Sequence, residues 1–338
     1  MKKTLASFSI AALASLACGV QAQTVLAVST WLPPAHPATL AQKDWCDLVS
    51  NNSQGRIKCN YLPRAVSAPP GTFDAVKNGQ ADLSYTVHGY TPGRFLLTQM
   101  AEFPFLGNSA ETISVAYSRV SAKYPEFNNE HQGVKVLTLW AHGPGIVFNT
   151  KHAISKIDEL QGLKFRIGGG MVNEITKSLG MNVTLKPATD SYELLSSGVM
   201  DGTLLPAEST ESFKIHKIIK HATTFPGGLY NTSFVFMMNQ SKYDKLSAED
   251  KKVVDAASGE VAARMFGRHW DKTDRRAYAM MQANGVKVTQ ADAKFVKDVK
   301  AKTDPLEKTW ATAAEGKGLK NAAKVLAEFR AEIAKLEK

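Results

Sequence analysis

One ten-residue pattern occurs twice in the chain. Phe73-Asp-Ala-Val-Lys-Asn-Gly-Gln-Ala-Asp82 and Tyr192-Glu-Leu-Leu-Ser-Ser-Gly-Val-Met-Asp201 both read aromatic, acid, any residue, apolar, two residues, glycine, two residues, aspartate. Upstream, Gly55 to Pro63 and Gly180 to Pro187 are each a glycine, a strand-like run and a proline, and Leu26–Trp31 parallels Leu163–Gly168. Apolar periodicity and glycine stops give each copy the order strand–helix–strand–helix–strand. The crossovers of such a unit are right-handed and its strands parallel. Two copies predict an α/β protein of two βαβαβ-type domains whose strand ends face a shared cleft. The alternative is chance similarity between short amphipathic pieces.

The connections say how the copies are joined. Val134–Trp140, followed by His142-Gly-Pro-Gly145, leads from the first unit to the second, and Thr232–Asn239 leads back. Two crossings predict a hinge, made of a few residues at element ends. The chain then divides into residues 23–145 plus 232–270 in lobe I and 146–231 plus 271–338, with the C-terminal helices, in lobe II. Ser247-Ala-Glu-Asp250 has the form of a capping box, and Asn284-Gly285 offers a stop. A helix between them is on the order of 55 Å long at about 1.5 Å per residue, enough to lie across both lobes. Gly259 and Gly267 are the points where it would bend, and the Ala/Lys/Glu-rich tail from Pro305 reads as a packed surface helix.

Lys2 and Lys3, the apolar run Leu5 to Cys18 and the small residues Val20-Gln21-Ala22 have the layout of a secretory signal peptide cleaved after Ala22. The expected location is therefore the periplasm. Ser15-Leu16-Ala17-Cys18 lacks the aliphatic residue, three before the cysteine, of a lipid-modified terminus. Without Lys2 and Lys3 the 41 basic residues fall to 39 against 31 acidic ones, a net charge of +8. The lysines are scattered, so nucleic acid is not indicated; a field favouring small anions is. Cys46 and Cys59 remain. An exported pair permits a disulfide contributing on the order of 3 kcal/mol, the alternative being two buried thiols.

No Gly-x-Ser-x-Gly, His-Glu-x-x-His or Walker A motif is present. Gly168-Gly169-Gly170 meets Asn173 where a dinucleotide fingerprint needs glycine, and His216 and His221 are poorly spaced for one metal. No catalytic residue, metal or cofactor is assigned, and Asp82 and Asp201 read as turn residues. What remains is Gly162 to Gly180, where a strand carrying Arg166 runs into three glycines and a helix. A helix start offers free N–H groups, and a guanidinium donates two parallel hydrogen bonds to a carboxylate. The plain alternative is a surface arginine. Other polar and aromatic residues at predicted strand ends are Trp31, Tyr85, His88, Trp140 and His142, with Gly169, Glu208 and Tyr230 from the second unit. Taken singly, each aromatic ring suits a core; taken together they suit a pocket for a small organic anion.

Further stretches carry a family likeness. They are Ala38–Pro63 with Gly55-Arg-Ile-Lys, Phe103-Pro-Phe-Leu106 after the first repeat, and Asp158-Glu-Leu-Gln-Gly-Leu-Lys-Phe-Arg166. Gly198-Val-Met-Asp-Gly202 and Asn239 with Tyr243-Asp-Lys-Leu-Ser complete the set. In this order the chain resembles the DctP family, the solute-binding proteins of tripartite ATP-independent periplasmic (TRAP) transporters. The resemblance implies a monomeric two-lobed periplasmic-binding-protein-like fold with a helix spanning both lobes. It also implies closure on an organic acid and delivery to TRAP permease membrane subunits driven by an ion gradient. The residue matching Arg166 forms the salt bridge to the ligand carboxylate in that family. Members that bind sialic acid carry a second arginine about twenty residues upstream; here Ala141-His-Gly-Pro-Gly-Ile-Val-Phe148 has none. Leu205 replaces the family's usual asparagine. A small monocarboxylate is expected instead, a 2-oxo or 2-hydroxy acid with an aromatic or branched body against Trp31, Tyr85 and Trp140, and with His142 or His88 on the 2-oxygen. A periplasmic enzyme using the same cleft, or a binding protein serving only a sensor, are the alternatives.

Overall fold

The computed structural model describes residues 23 to 337; the expected signal peptide lies outside the described residues. Their strands are β1 (Thr24–Val28), β2 (Ile57–Tyr61), β3 (Leu83–Val87), β4 (Val134–Ala141), β5 (Gly145–Asn149), β6 (Lys164–Ile167), β7 (Asn182–Leu185), β8 (Gly202–Pro206), β9 (His221–Thr224), β10 (Ser233–Asn239) and β11 (Lys287–Gln290). They form two sheets, ordered β2-β1-β3-β10-β4 and β11-β9-β5-β8-β6-β7. The sets β2-β1-β3 and β7-β6-β8 are parallel and identically ordered, the signature of one unit used twice. Each sheet then accepts an antiparallel strand arriving from the other half, β10 beside β3 and β5 beside β8.

The repeated aspartates fix the register of both units. Asp82 Oδ2 accepts the Ala27 N–H at 2.8 Å, and Asp201 Oδ2 accepts the Lys164 N–H at 2.9 Å. Their own N–H groups return to the carbonyls of Ala27 and Lys164, each at 2.8 Å. Lys242 and Lys151 close the two arrangements at 3.2 and 3.3 Å. A slip of one residue would turn every side chain to the other face of the sheet. These carboxylates therefore help aim the strand ends at the cleft.

The spanning helix departs from expectation. Ser247 Oγ accepts the Asp250 N–H at 3.0 Å, but the helix it opens ends at Ala256. Gly259 N–H donates to Leu137 O and its carbonyl accepts from Thr138 Oγ1, pinning the break to β4. A second helix, Glu260–Ala283, has 24 residues and is about 36 Å long. Its Phe266 and Trp270 join the core on the first sheet, while Ala277 and Met281 join a core on the second. It runs unbroken through Gly267, where any Cβ would lie 2.3 Å from Glu111 Cα, so the glycine admits the Ala110–Ser121 helix. One turn apart on this helix, Asp271 accepts the Ala110 N–H at 2.6 Å and Asp274 accepts the Glu208 N–H at 2.7 Å. One helix thus caps an element from each half.

The C-terminal chain also serves both halves. The Ala293–Gly316 helix, which continues through Pro305, packs on the Met171–Ser178 helix. The Ala322–Leu336 helix returns to Ala110–Ser121, where Arg119 Nη1 meets Glu332 at 2.7 Å. Cys46, in the Pro37–Asn52 helix, is disulfide-bonded to Cys59 in β2 with Cα atoms 5.9 Å apart. Among the described residues no helix is long and apolar enough to cross a membrane.

Beside the cleft the halves touch backbone to backbone. A Cβ on Gly89 would lie 2.6 Å from Gly169 C, and one on Gly169, whose φ is +78°, would lie 2.3 Å from Gly89 O. Gly89→Ala should therefore wedge the halves apart. The expected loss is about 1–3 kcal/mol, the usual cost of overpacking, read by scanning calorimetry as a lower melting temperature.

Candidate ligand-binding site

Between the sheets, where the strand ends of both units converge, lies a partly open cavity lined by residues of both lobes. Arg166 forms part of its wall from β6, with 2% of its surface exposed. Its Nε donates to Lys186 O at 2.8 Å and its Nη1 to Leu204 O at 3.3 Å, so the strands on either side fix the guanidinium plane. Among the described residues no carboxylate lies within ion-pair distance of it, although carboxylates pair with most other arginines. Carbonyl dipoles orient a cation but leave its charge uncompensated. Holding such a charge away from water costs several kcal/mol until an anion arrives.

The walls around Arg166 are mostly aromatic. Tyr90 and Tyr230 flank it; burial pushes both phenols up while the Arg166 charge pulls the other way. Trp31 stands between Tyr85 and Tyr90, ring centres 5.9 and 5.8 Å away, and its Nε1 donates to Tyr85 O at 3.0 Å. Trp270 closes the cavity from the spanning helix. Two polar side chains complete it. His142 Nδ1 contacts Gly143 O, and burial pushes the imidazole down to about 4, so it is neutral at physiological pH. Glu208 accepts the Ser209 and Ser212 hydroxyls at 2.7 Å each and faces His36 Nε2 at 3.5 Å. Burial raises its pKa, but His36 and the two serines more than offset that and hold it below the ordinary carboxylate value.

The cavity thus gathers Trp31, His142, Arg166, Glu208 and Tyr230 from the expected set. The other four of that set lie outside the cavity lining. Tyr85 is fully buried with its hydroxyl on Thr30 and Thr39. Trp140 is stacked between Phe234 and Phe266, centroids 4.7 and 4.1 Å away. His88 is bonded to Ser233 and His131, and Gly169 makes the backbone contact with Gly89. β3 is buried at all five positions, with Tyr85 at its centre rather than its end, so its sequence does not reveal which face meets the cleft. The sequence reading also missed His36, Tyr90 and Trp270. Trp270 follows Phe266 by one helical turn on the spanning helix, the only trace it leaves in the sequence.

The helix start after the three glycines is not available to a ligand. Glu102 Oε2 accepts the Met171 N–H at 2.7 Å, while Oε1 meets Ser233 N at 3.1 Å and Ser233 Oγ at 2.6 Å. The adjoining network fixes the protons. His131 Nδ1 must donate to Phe127 O, so its Nε2 accepts from His88 Nε2, and His88 Nδ1 accepts the Ser233 hydroxyl. Ser233 then has no hydrogen left for Glu102, and the short contact needs a proton on the carboxyl. Burial, the largest cause, pushes Glu102 up to about 7, and it also lowers both histidines.

A stability change with pH follows. Below about 4.5, folded and unfolded chains both carry the proton; between 4.5 and about 7 only the folded chain keeps it. Stability from this group therefore falls as pH rises through that window, by on the order of 3 kcal/mol. Glu102→Gln, which imitates the protonated acid, should match wild type at pH 4.5 and exceed it at pH 8. Denaturant unfolding at the two pH values measures the difference.

A buried arginine walled by aromatic rings thus lies between two α/β lobes. Residues 28–313 match the profile of DctP, the bacterial extracellular solute-binding protein, family 7, and the chain belongs to that family. A TRAP periplasmic solute-binding protein from Bordetella bronchiseptica, solved with (R)- and (S)-mandelate, is 40% identical over 93% of this chain and 99% of its own, with a TM-score of 0.90. A marine metagenome TRAP protein solved with 3-hydroxybenzoate is 31% identical over 94% and 100%, TM-score 0.87. One from Rhodoferax ferrireducens, with copurified benzoate, is 29% identical over 93% and 99%, TM-score 0.86. The protein is thus a solute-binding protein of the TRAP type with a two-lobed α/β fold.

Proposed function

We propose that this protein captures an aromatic monocarboxylate in the periplasm, without turnover, and hands it to the membrane subunits of a TRAP permease. The observation that carries this reading is Arg166, a buried cation with two neutral carbonyl partners and no carboxylate. A ligand carboxylate supplies the missing charge through two parallel hydrogen bonds. The rings of Trp31, Tyr90, Tyr230 and Trp270 suit a flat apolar body, and the aromatic acids bound by the three similar proteins support that choice. The protein acts as a monomer whose lobes, residues 23–145 with 232–270 and 146–231 with 271–338, close about His142–Gly145 and Asn231–Thr232. Paired backbone bonds such as Gly145 N to Tyr230 O, 2.8 Å, keep those two crossings in step.

The test is titration calorimetry with benzoate and mandelate on ligand-stripped protein. Arg166→Ala should weaken binding by roughly a hundredfold, about 3 kcal/mol, because the buried carboxylate loses its charged partner. Arg166→Lys should recover part of the loss, since an ammonium keeps the charge but not the planar fork. Unchanged affinity in Arg166→Ala would remove the carboxylate clamp from this arginine.

A further inference from the structure

Two polar atoms on the wall of the cavity lack a partner. His142, 3% exposed, has its Nε2 buried and unbonded; Trp270, 2% exposed, has its indole N–H buried and unbonded. Unpaired buried polar atoms are uncommon in folded proteins and are costly where nothing completes them. Their ring centres are 6.2 Å apart, and His142 stands edge-on to Tyr230 at 5.4 Å.

The chemistry of each atom is fixed by what it already touches. Gly143 O can only accept, so His142 Nδ1 carries the ring hydrogen. The neutral ring then has a bare lone pair on Nε2, an acceptor. Trp270 Nε1 can only donate. The neighbouring acceptor, Glu208, is already engaged by Ser209, Ser212 and His36. His142, Trp270 and Arg166 line one cavity, so a small ligand whose carboxylate is held at Arg166 lies in the same space as both unbonded atoms.

We infer that His142 reads a hydroxyl beside the ligand's carboxylate, so that the site prefers an aromatic 2-hydroxy acid to the 2-oxo acid of the same body. This rests on the carboxylate reading above and narrows it. A hydroxyl donates to Nε2 and still has lone pairs for the indole N–H. A 2-oxo group can meet the indole alone and turns its oxygen lone pairs toward the histidine lone pair. A methylene meets neither. Sites built to hydrogen-bond a substrate group reject analogues lacking it far more strongly than apolar pockets reject a change of size.

The test is calorimetry of ligand-stripped protein with mandelate, phenylglyoxylate and phenylacetate, which differ only at C2, with benzoate as a control for the clamp. Mandelate should bind on the order of ten- to a hundredfold more tightly than the other two phenyl-C2 acids. His142→Gln, whose amide can turn to offer either a donor or an acceptor, should bring mandelate and phenylglyoxylate within about threefold of each other. In wild type, the ¹⁵N resonance of His142 Nε2 should move upfield with mandelate and not with phenylglyoxylate, a readout independent of how the variant folds. Phenylglyoxylate binding as tightly as mandelate, or a preference that survives in His142→Gln, overturns the role of His142. Failure of all four acids to bind overturns the carboxylate reading itself. Binding of benzoate alone leaves that reading standing and sinks this one.

Discussion

The cleft depends on an unbalanced positive charge. Arg166 is held in plane by carbonyls from two neighbouring strands, contacts that fix its direction without cancelling its charge. An arginine suits this place better than a lysine, because guanidinium is weakly hydrated and shaped for two parallel bonds. On the proposed function, the cost of burying it falls on the unliganded protein and is relieved when the ligand carboxylate binds. Glu102 occupies the start of the Met171–Ser178 helix, another feature that attracts anions, and burial there favours its protonated form, pushing it up to about 7.

The duplicated unit explains why Arg166 faces the space between the lobes. Ligands of open α/β sheets sit beyond the carboxyl ends of parallel strands. Two units with equal strand order, each locked by its own aspartate, present those ends to one another. The antiparallel strands exchanged between the halves bring His142 and Phe234 to the same cavity. The spanning helix covers it with Trp270 while Asp271 and Asp274 hold an element of each half. The contact of Gly89 with Gly169 sets how nearly the halves approach.

Much of this was legible in the sequence because it depends on pattern. The repeat from Phe73 and Tyr192 predicted the paired sheets, and Arg166 followed from a strand end before a glycine turn. Where prediction failed, the deciding information was long-range. Trp140 sits near a strand end and His88 just beyond one, but Tyr85 is at the centre of β3, and in strands this buried nothing in the sequence says which side meets the cleft. The free helix start was misjudged because its partner, Glu102, lies 69 residues away along the chain. The spanning helix was drawn too long because the capping signal at Ser247 was real, but a second helix begins just after it, beyond Gly259.

On the proposed function, Glu208 and the missing second arginine express one selection. An acid with two carboxylates needs a second cation; residues 141 to 148 offer none. Glu208 instead adds an anion to the wall, kept ionised by the Ser209 and Ser212 hydroxyls and by His36, whose Nδ1 accepts the Ala38 N–H and whose Nε2 therefore points its hydrogen at the carboxylate. A second ligand carboxylate near it would meet like charge in a region of low dielectric, where repulsion is poorly screened. Discrimination of this kind needs a repulsive element as well as an attractive one. Arg166 provides the attraction, Glu208 the repulsion, and the aromatic walls between them leave room for one charge on an apolar body.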